Sequence, residues 1–228
     1  MTNLVDLSIA DGVATIVMDD GKANALSPAM FAALNEALDR AEKEGAVAVV
    51  LAGRPGRFSG GFDLGVLRAG GPDAEGMLRS GFELAERLLG FPRPVVIACT
   101  GHAVAMGVFV LCSGDYRVGA AGEFKLLANE VAIGLTMPYP AVAILRHRLT
   151  PAAFDRAVVL SEPCTPAGAI ADGWLDKVVA PGAVIEEAQR VAASFAALDP
   201  TAHANSKRRA RAALLAEVRR GIEEEFGG

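Results

Sequence analysis

The chain has few cysteines, few aromatics and no excess of positive charge. Its three cysteines, Cys99, Cys112 and Cys164, are widely spaced with no CxxC pair. That pattern argues against a disulfide frame and fits buried thiols in a reducing cytosol. Three histidines (His102, His147, His203) share no ligand spacing with those thiols, so no metal site is expected. A net charge of −5 lacks the basic field of a nucleic-acid binder. The opening MTNLVDLSIADG has acids where a signal peptide carries a basic region, so a leader is not expected there. Also missing are GxGxxG after a strand, GxxxxGK[ST], HExxH and GxSxG. The usual handles for nicotinamide, nucleotide, zinc-protease and serine-hydrolase chemistry are therefore absent.

What is present is a chain of 228 residues, 52% hydrophobic and 21% charged, long enough for one well-filled core. Disorder is excluded by that hydrophobicity. Val95 to Cys112 is the one long apolar run. Thr100, Gly101, His102 and Gly107 interrupt it, and a membrane helix needs about 20 predominantly apolar residues. It reads instead as a buried strand turning into a buried helix, in a protein with no membrane or nucleic-acid partner. With 43 Ala and 25 Gly, small residues fill 30% of the chain, so backbones must approach closely in several places.

Leu4–Ile9 and Val13–Met18 flank Asp11-Gly12, a strong hairpin signal. Ser27-Pro28 predicts a capped helix start, Met30, Phe31, Leu34 and Leu38 repeat at helical spacing, and Gly45 marks the stop. Ala46–Leu51, Val95–Cys99 and Asp115–Val118 read as strands. Gly53–Gly61 reads as a loop. Helices are expected over about 73–89 and 105–113. From Thr150 the pattern is helical over 151–160, 165–173, 181–198 and 201–226, with a short strand at Val178-Val179. Alternating strands and helices imply an α/β protein with parallel pairing, divided into an α/β core (1–149) and a helical C-terminal region (150–228).

In α/β proteins ligands bind in the loops after strands. Two such segments stand out: Phe58 to Leu64 (FSGGFDL) and Gly101 to Gly107 (GHAVAMG). Both can turn backbone N–H groups toward one oxygen, as an oxyanion hole requires. Equally, each can be no more than a tight strand-to-helix turn.

These segments carry a resemblance. Asn24-Ala25-Leu26, FSGGFDL, Ile97 to Asp115 (IACTGHAVAMGVFVLCSGD), Glu130 to Pro138 (EVAIGLTMP) and Ala171 to Val179 (ADGWLDKVV) occur in the order seen in the crotonase (enoyl-CoA hydratase/isomerase) superfamily. The resemblance spans roughly residues 3 to 200. It implies a spiral of ββα units, a helical C-terminal region that builds homotrimers or dimers of trimers, a cytoplasmic location, and acyl-CoA thioester substrates. It implies no resident cofactor, coenzyme A being part of the substrate. Carried over by position, Phe62 N–H and Met106 N–H are the oxyanion donors, although the family usually has glycine at the second. The backbone at Ala25, Leu26, Asp63 and Leu64 lines the coenzyme A channel.

Hydratases of the superfamily use two glutamates. The position of the first holds Phe109; that of the second, four residues before Gly134, holds Glu130. Hydration needs one group to deprotonate water and another to protonate C2. Shifting a double bond from position 3 to 2 needs one base that takes a proton from C2 and returns it at C4. A single carboxylate therefore fits isomerisation best, with hydration or a non-catalytic acyl-CoA-binding protein as alternatives. Val131, Ile133 and Met137 are expected to raise the Glu130 pKa. Phe109 is expected to dry the acyl pocket. His102 reads as a structural histidine beside the site, and Tyr139 and His147 as candidate substitutes for the missing acid. By resemblance, Lys207 and Arg208 reach the coenzyme A phosphates of a neighbouring subunit.

Overall fold

The computed structural model describes residues 3–227. Val5–Ala10 (β1) and Val13–Met18 (β2) pair antiparallel across a two-residue loop. Both loop residues, Asp11 and Gly12, have positive φ, as the favoured hairpin turn demands. Ala25–Leu26 (β3) then leads into Pro28–Lys43 (α1). Ser27 Oγ accepts the Met30 N–H at 3.2 Å, capping the helix where the sequence predicts. Next come Ala48–Ala52 (β4), Gly56–Ser59 (β5), Gly61–Phe62 (β6), Leu64–Ala69 (α2) and Gly71–Gly90 (α3). Val95–Cys99 (β7), Gly101–Val104 (β8), Met106–Cys112 (α4), Tyr116–Ala120 (β9) and Leu126–Leu127 (β10) follow. The last third holds Tyr139–Arg148 (α5), Pro151–Leu160 (α6), Pro166–Asp172 (α7), Lys177–Val179 (β11), Val184–Ser194 (α8), Pro200–Ala210 (α9) and Ala212–Phe226 (α10).

The main sheet runs β1-β2-β4-β7-β9-β11, parallel throughout except for β1. After each main-sheet strand from β2 to β9, the chain adds a strand to a smaller parallel sheet. These are β3 paired with β6, and β10-β8-β5. This spiral of parallel strands is the arrangement that the resemblance implies. The corner between β7 and β8 is one residue, Thr100. A Cβ on Gly101 would sit 2.0 Å from the Gly56 carbonyl carbon, so only glycine lets β8 lie against β5. The expected loop over 53–61 thus contains β5 and β6, and the expected turn at Gly101 begins a strand. The run from Val95 to Cys112 is a strand, a corner, a strand and a seven-residue helix. Among the described residues no helix is long and apolar enough to cross a membrane.

Parallel strands covered on both faces read as continuous apolar runs, which is how β4 and β7 appear in the sequence. Ile16, Val49, Leu51, Val95 and Ile97 face the larger core beneath α1, α3, α4, α5 and α10. Ala48, Val50, Ala52, Val96, Ala98 and Ala120 face the other way, against Val184, Ala188, Val191 and Ala192 of α8. Those alanines let one helix cover that face. Past residue 149 the chain is therefore not set apart: β11 extends the main sheet beside β9, and α8 covers it. The helix expected over 201–226 breaks at Arg211 (φ −106°, ψ 9°). There the guanidinium donates to Leu89 O and pairs with Asp115, 2.8 Å away. Beyond the break, Leu214, Val218 and Ile222 pack α10 onto α3 and α5.

Candidate active site

The site grows out of a turn. Asp20 Oδ1 accepts the N–H groups of Lys22 and Asn24, and its Oδ2 accepts that of Ala25, at 2.7–2.8 Å. Burial pushes this carboxyl up, but those donors prevail and hold it below its ordinary value. Asn24, fully buried at φ +50°, donates from Nδ2 to Met18 O and Phe58 O. Its own carbonyl accepts Ser59 Oγ–H at 2.8 Å, and Ser59 Oγ accepts the Gly61 N–H. Asp20, Asn24 and Ser59 thus fasten β3 beside β6. The Asp63 N–H donates to Leu26 O at 3.4 Å. Consecutive N–H groups of a strand point to opposite sides, so the Phe62 N–H points away from β3.

It points toward the second segment. A Cβ on Gly61 (φ +90°) would lie 2.9 Å from Ala105 Cβ and 3.5 Å from Met106 N. The absent side chain brings the stretches ending in Phe62 and Met106 into contact. Met106 opens α4, so its N–H has no partner inside the helix. Ala105, just before it, has φ +49° and ψ −126°, a strained conformation for a residue with a Cβ. The Met106 side chain is fully buried under α3. A Cβ on Gly81 there would meet both the Phe62 ring and Met106 Sδ, so this glycine gives both side chains their room.

Behind these groups lies an aromatic stack. Phe62 packs edge-on against Phe31 and Phe82, and Phe82 stacks on Phe109 (5.8 Å) and on Phe226 (5.7 Å). Phe109 is 1% exposed.

Glu130 follows on the next segment. Strand β10 pairs with β8, and the Ala105 N–H donates to Leu127 O at 2.8 Å. Three residues on, Glu130 begins a short 3-10 turn over Val131–Ile133. It is 8% exposed, and its Oε2 is buried with no hydrogen-bond partner. Burial pushes its carboxyl up to about 7 against the pull of its own backbone N–H. The apolar neighbours named from sequence are not all responsible: Met137 is buried, whereas Val131 and Ile133 are 43% and 59% exposed.

The sequence profile described as enoyl-CoA hydratase/isomerase matches residues 8–226. The chain belongs to that family, within the crotonase superfamily. A putative enoyl-CoA hydratase of Thermus thermophilus is 34% identical over 220 residues, 94% of this chain and 85% of that protein. The enoyl-CoA hydratase structure from Mycobacterium marinum is 49% identical with a TM-score of 0.93, covering 98% of this chain and all of the other. A Mycobacterium tuberculosis protein, described as an enoyl-CoA isomerase in one structure and a probable hydratase in another, is 48% identical. In the isomerase structure its TM-score is 0.94, over 98% of this chain and 97% of the other.

The structure sets Phe62 and Met106 side by side around Gly61 and Gly81, places Phe109 in the aromatic stack behind them, and puts Glu130 three residues past the strand paired with β8. Ala25 and Leu26 lie beside Phe62 through the β3–β6 ladder, with the Leu26 side chain in the core. The Asp63 carboxylate caps α2 by accepting the Gly65 and Val66 N–H groups, and Leu64 is 58% exposed. His102 Nδ1 accepts the Lys125 N–H, a structural role. Tyr139 is exposed at the start of α5. His147 lies about 12 Å further along that helix at 1.5 Å per residue. Partial burial and Arg148, Arg211 and Arg117 push it down to about 4, which makes it neutral at pH 7. Lys207 is not free for a neighbour's phosphates: its Nζ is buried against Asp115 at 2.6 Å. Arg208 is exposed. A cavity of about 650 Å³ lies between α1 and α3, lined by Phe31, Asn35, Met77 and Arg87, and none of the four site residues lines it. Asp20 is a site-building residue that the sequence reading passes over, while Ser59 and Ala105 lie inside the two segments it singles out without being named in them.

Proposed function

We propose that the protein converts 3-enoyl-CoA thioesters to their 2-enoyl isomers with Glu130 as the only base. The observation that carries this reading is a buried Glu130 whose Oε2 has no partner, in a chain that has the stacked ring of Phe109 at the family's other carboxylate position. The thioester oxygen accepts from Phe62 N–H and Met106 N–H. Ionised Glu130 removes a proton from C2, and the electron pair spreads over a dienolate whose charge rests on that oxygen. The same carboxyl then delivers the proton to C4, leaving the double bond conjugated and the enzyme unchanged. A carboxyl titrating near 7 suits both transfers, because neither protonation state is far out of reach. Phe109 offers no atom to hold or deprotonate water.

Names of the Thermus and M. marinum relatives favour a second reading, hydration of 2-enoyl-CoA. One assay separates them: purified protein with 3-enoyl-CoA and, separately, 2-enoyl-CoA, followed by the conjugated thioester absorbance. Conjugation gained from the first with little lost from the second supports isomerisation. Rapid loss from the second refutes it, and silence with both while acyl-CoA binds favours a binding protein. The assembly we infer by resemblance is a cytoplasmic homotrimer or dimer of trimers. Exposed Val131, Ile133, Leu135, Val159 and Leu160, apolar groups a partner subunit can cover, support it, and sedimentation tests it.

A further inference from the structure

Glu130 is held by a clamp from outside its own segment. The loop after α6 meets the chain at two points. Leu126 and Cys164 exchange a reciprocal pair of backbone hydrogen bonds at 2.9 Å, four residues before Glu130. Two residues after it, the Ala132 N–H donates to Ser161 Oγ at 3.2 Å. Past Leu127, which accepts the Ala105 N–H, the turn bonds to itself, with Ile133 N–H and Leu135 N–H donating to Glu130 O. Its carboxylate oxygen Oε2 has no partner to anchor it. Ser161 is 9% exposed and has φ +50°, ψ 37°, a left-handed conformation that disfavours a side chain. Glycine would fit that backbone more easily, but it would leave the Ala132 N–H without its acceptor.

We propose that Ser161 is a positioning residue for Glu130: its hydroxyl pins the 3-10 turn so that the carboxylate stays in its dry, unpaired position beside the Met106 segment. The charged groups nearby do not take that role. Arg156 of α6 pairs with Glu162 and Asp172, and Asp155 is exposed on the same helix. Without the hydroxyl, the segment is tied only on its β10 side, at Leu126 and Leu127, and the carboxylate can swing into water and regain its ordinary acidity.

This inference rests on Glu130 being the base, and the test has one readout that does not. In Ser161→Gly, which keeps the left-handed backbone unstrained, the titration of the Glu130 carboxyl is followed by 13C NMR, assigned by its loss in Glu130→Gln. The midpoint is expected to fall toward that of a solvated glutamate. With 3-enoyl-CoA, kcat is expected to drop by about ten- to a hundred-fold, the scale of a displaced catalytic group, with KM nearly unchanged and the acid limb of the pH profile moved down. Ser161→Asn tolerates the left-handed backbone and supplies an acceptor, so it is expected to stay near the parent in both readouts. An unchanged titration in Ser161→Gly overturns the proposal, as does equal impairment of the glycine and asparagine variants. If the parent turns over neither thioester, the isomerase reading fails, and the titration still decides the role of Ser161.

Discussion

Replacing Glu130 by glutamine should make the protein more stable and less active, with the gain in stability depending on pH. The structure buries this carboxyl and gives Oε2 no partner, lifting it from an ordinary 4.5 to about 7. Between those values the native chain holds a proton that the unfolded chain has released, so stability falls as pH rises through that interval. Below about 4.5 both states are protonated and the group costs nothing. Above about 7 the full gap applies, about 3 kcal/mol at 1.36 kcal/mol per pKa unit. Glutamine imitates the protonated acid at every pH. Urea unfolding at about pH 3.5 should therefore nearly superimpose the two proteins. At pH 8 Glu130→Gln should be ahead by up to about 3 kcal/mol, or about 6–12 °C in Tm for a chain of this size. Isomerase turnover should fall by about 10²–10⁴, the usual worth of a positioned base. Equal stabilities at pH 8 would mean that the carboxylate is solvated or paired, and the single-base mechanism would lose its physical ground.

Three further outcomes follow from the same geometry. Phe109→Glu removes the ring stacked on Phe82 and places a carboxyl where family hydratases keep one; it should cost about 3–5 kcal/mol while raising 2-enoyl hydration relative to isomerisation in the absorbance assay. Ala105→Gly relieves the strain at φ +49°, so Tm should rise by about 2–4 °C for about 1 kcal/mol gained, and kcat should fall as Met106 N–H loses its fixed approach. Asp115→Asn leaves buried Lys207 and Arg211 without their shared anion and should cost about 3–5 kcal/mol in urea unfolding. Its effect on KM should be small, because that cluster lies between α9 and β7, away from Glu130.

Some of this architecture is written in local sequence and some is not, and the division has a physical cause. Asp11-Gly12, Ser27-Pro28 and the apolar runs of β4 and β7 are visible because turn chemistry, capping and burial on two faces each impose a residue type at a fixed spacing. Strands β5, β6 and β8 (GRFS, GF and GHAV) carry no such period. Their ladders come from partners far along the chain, and Gly101 sits at a strand start because Gly56 lies against it. The pattern over 201–226 is helical throughout, yet Arg211 leaves the helix to meet Asp115, a partner 96 residues earlier in the chain. Phe62, Met106 and Glu130 stood out through family resemblance rather than through periodicity.

The illegible part concentrates at the site. Four non-glycine residues have positive φ among the described residues: Asp11, Asn24, Ala105 and Ser161. Asp11 serves the hairpin, and its turn is announced by sequence. The other three surround the proposed chemistry: Asn24 before β3, Ala105 before the Met106 donor, and Ser161 against the turn of Glu130. Asparagine tolerates positive φ, but Ala105 and Ser161 lie where local preference alone would not choose it. Each is held by tertiary contacts: the Asn24 amide to Met18 and Phe58, Ala105 against Gly61 and Leu127, and Ser161 to Ala132. A chain reads poorly where its local and global preferences disagree, and such disagreement is sustained where a site needs atoms held in place. Relaxing any one of these three positions to glycine should therefore cost catalysis more than it costs stability, whereas Asp11→Gly, at a turn that serves only the hairpin, should leave turnover unchanged.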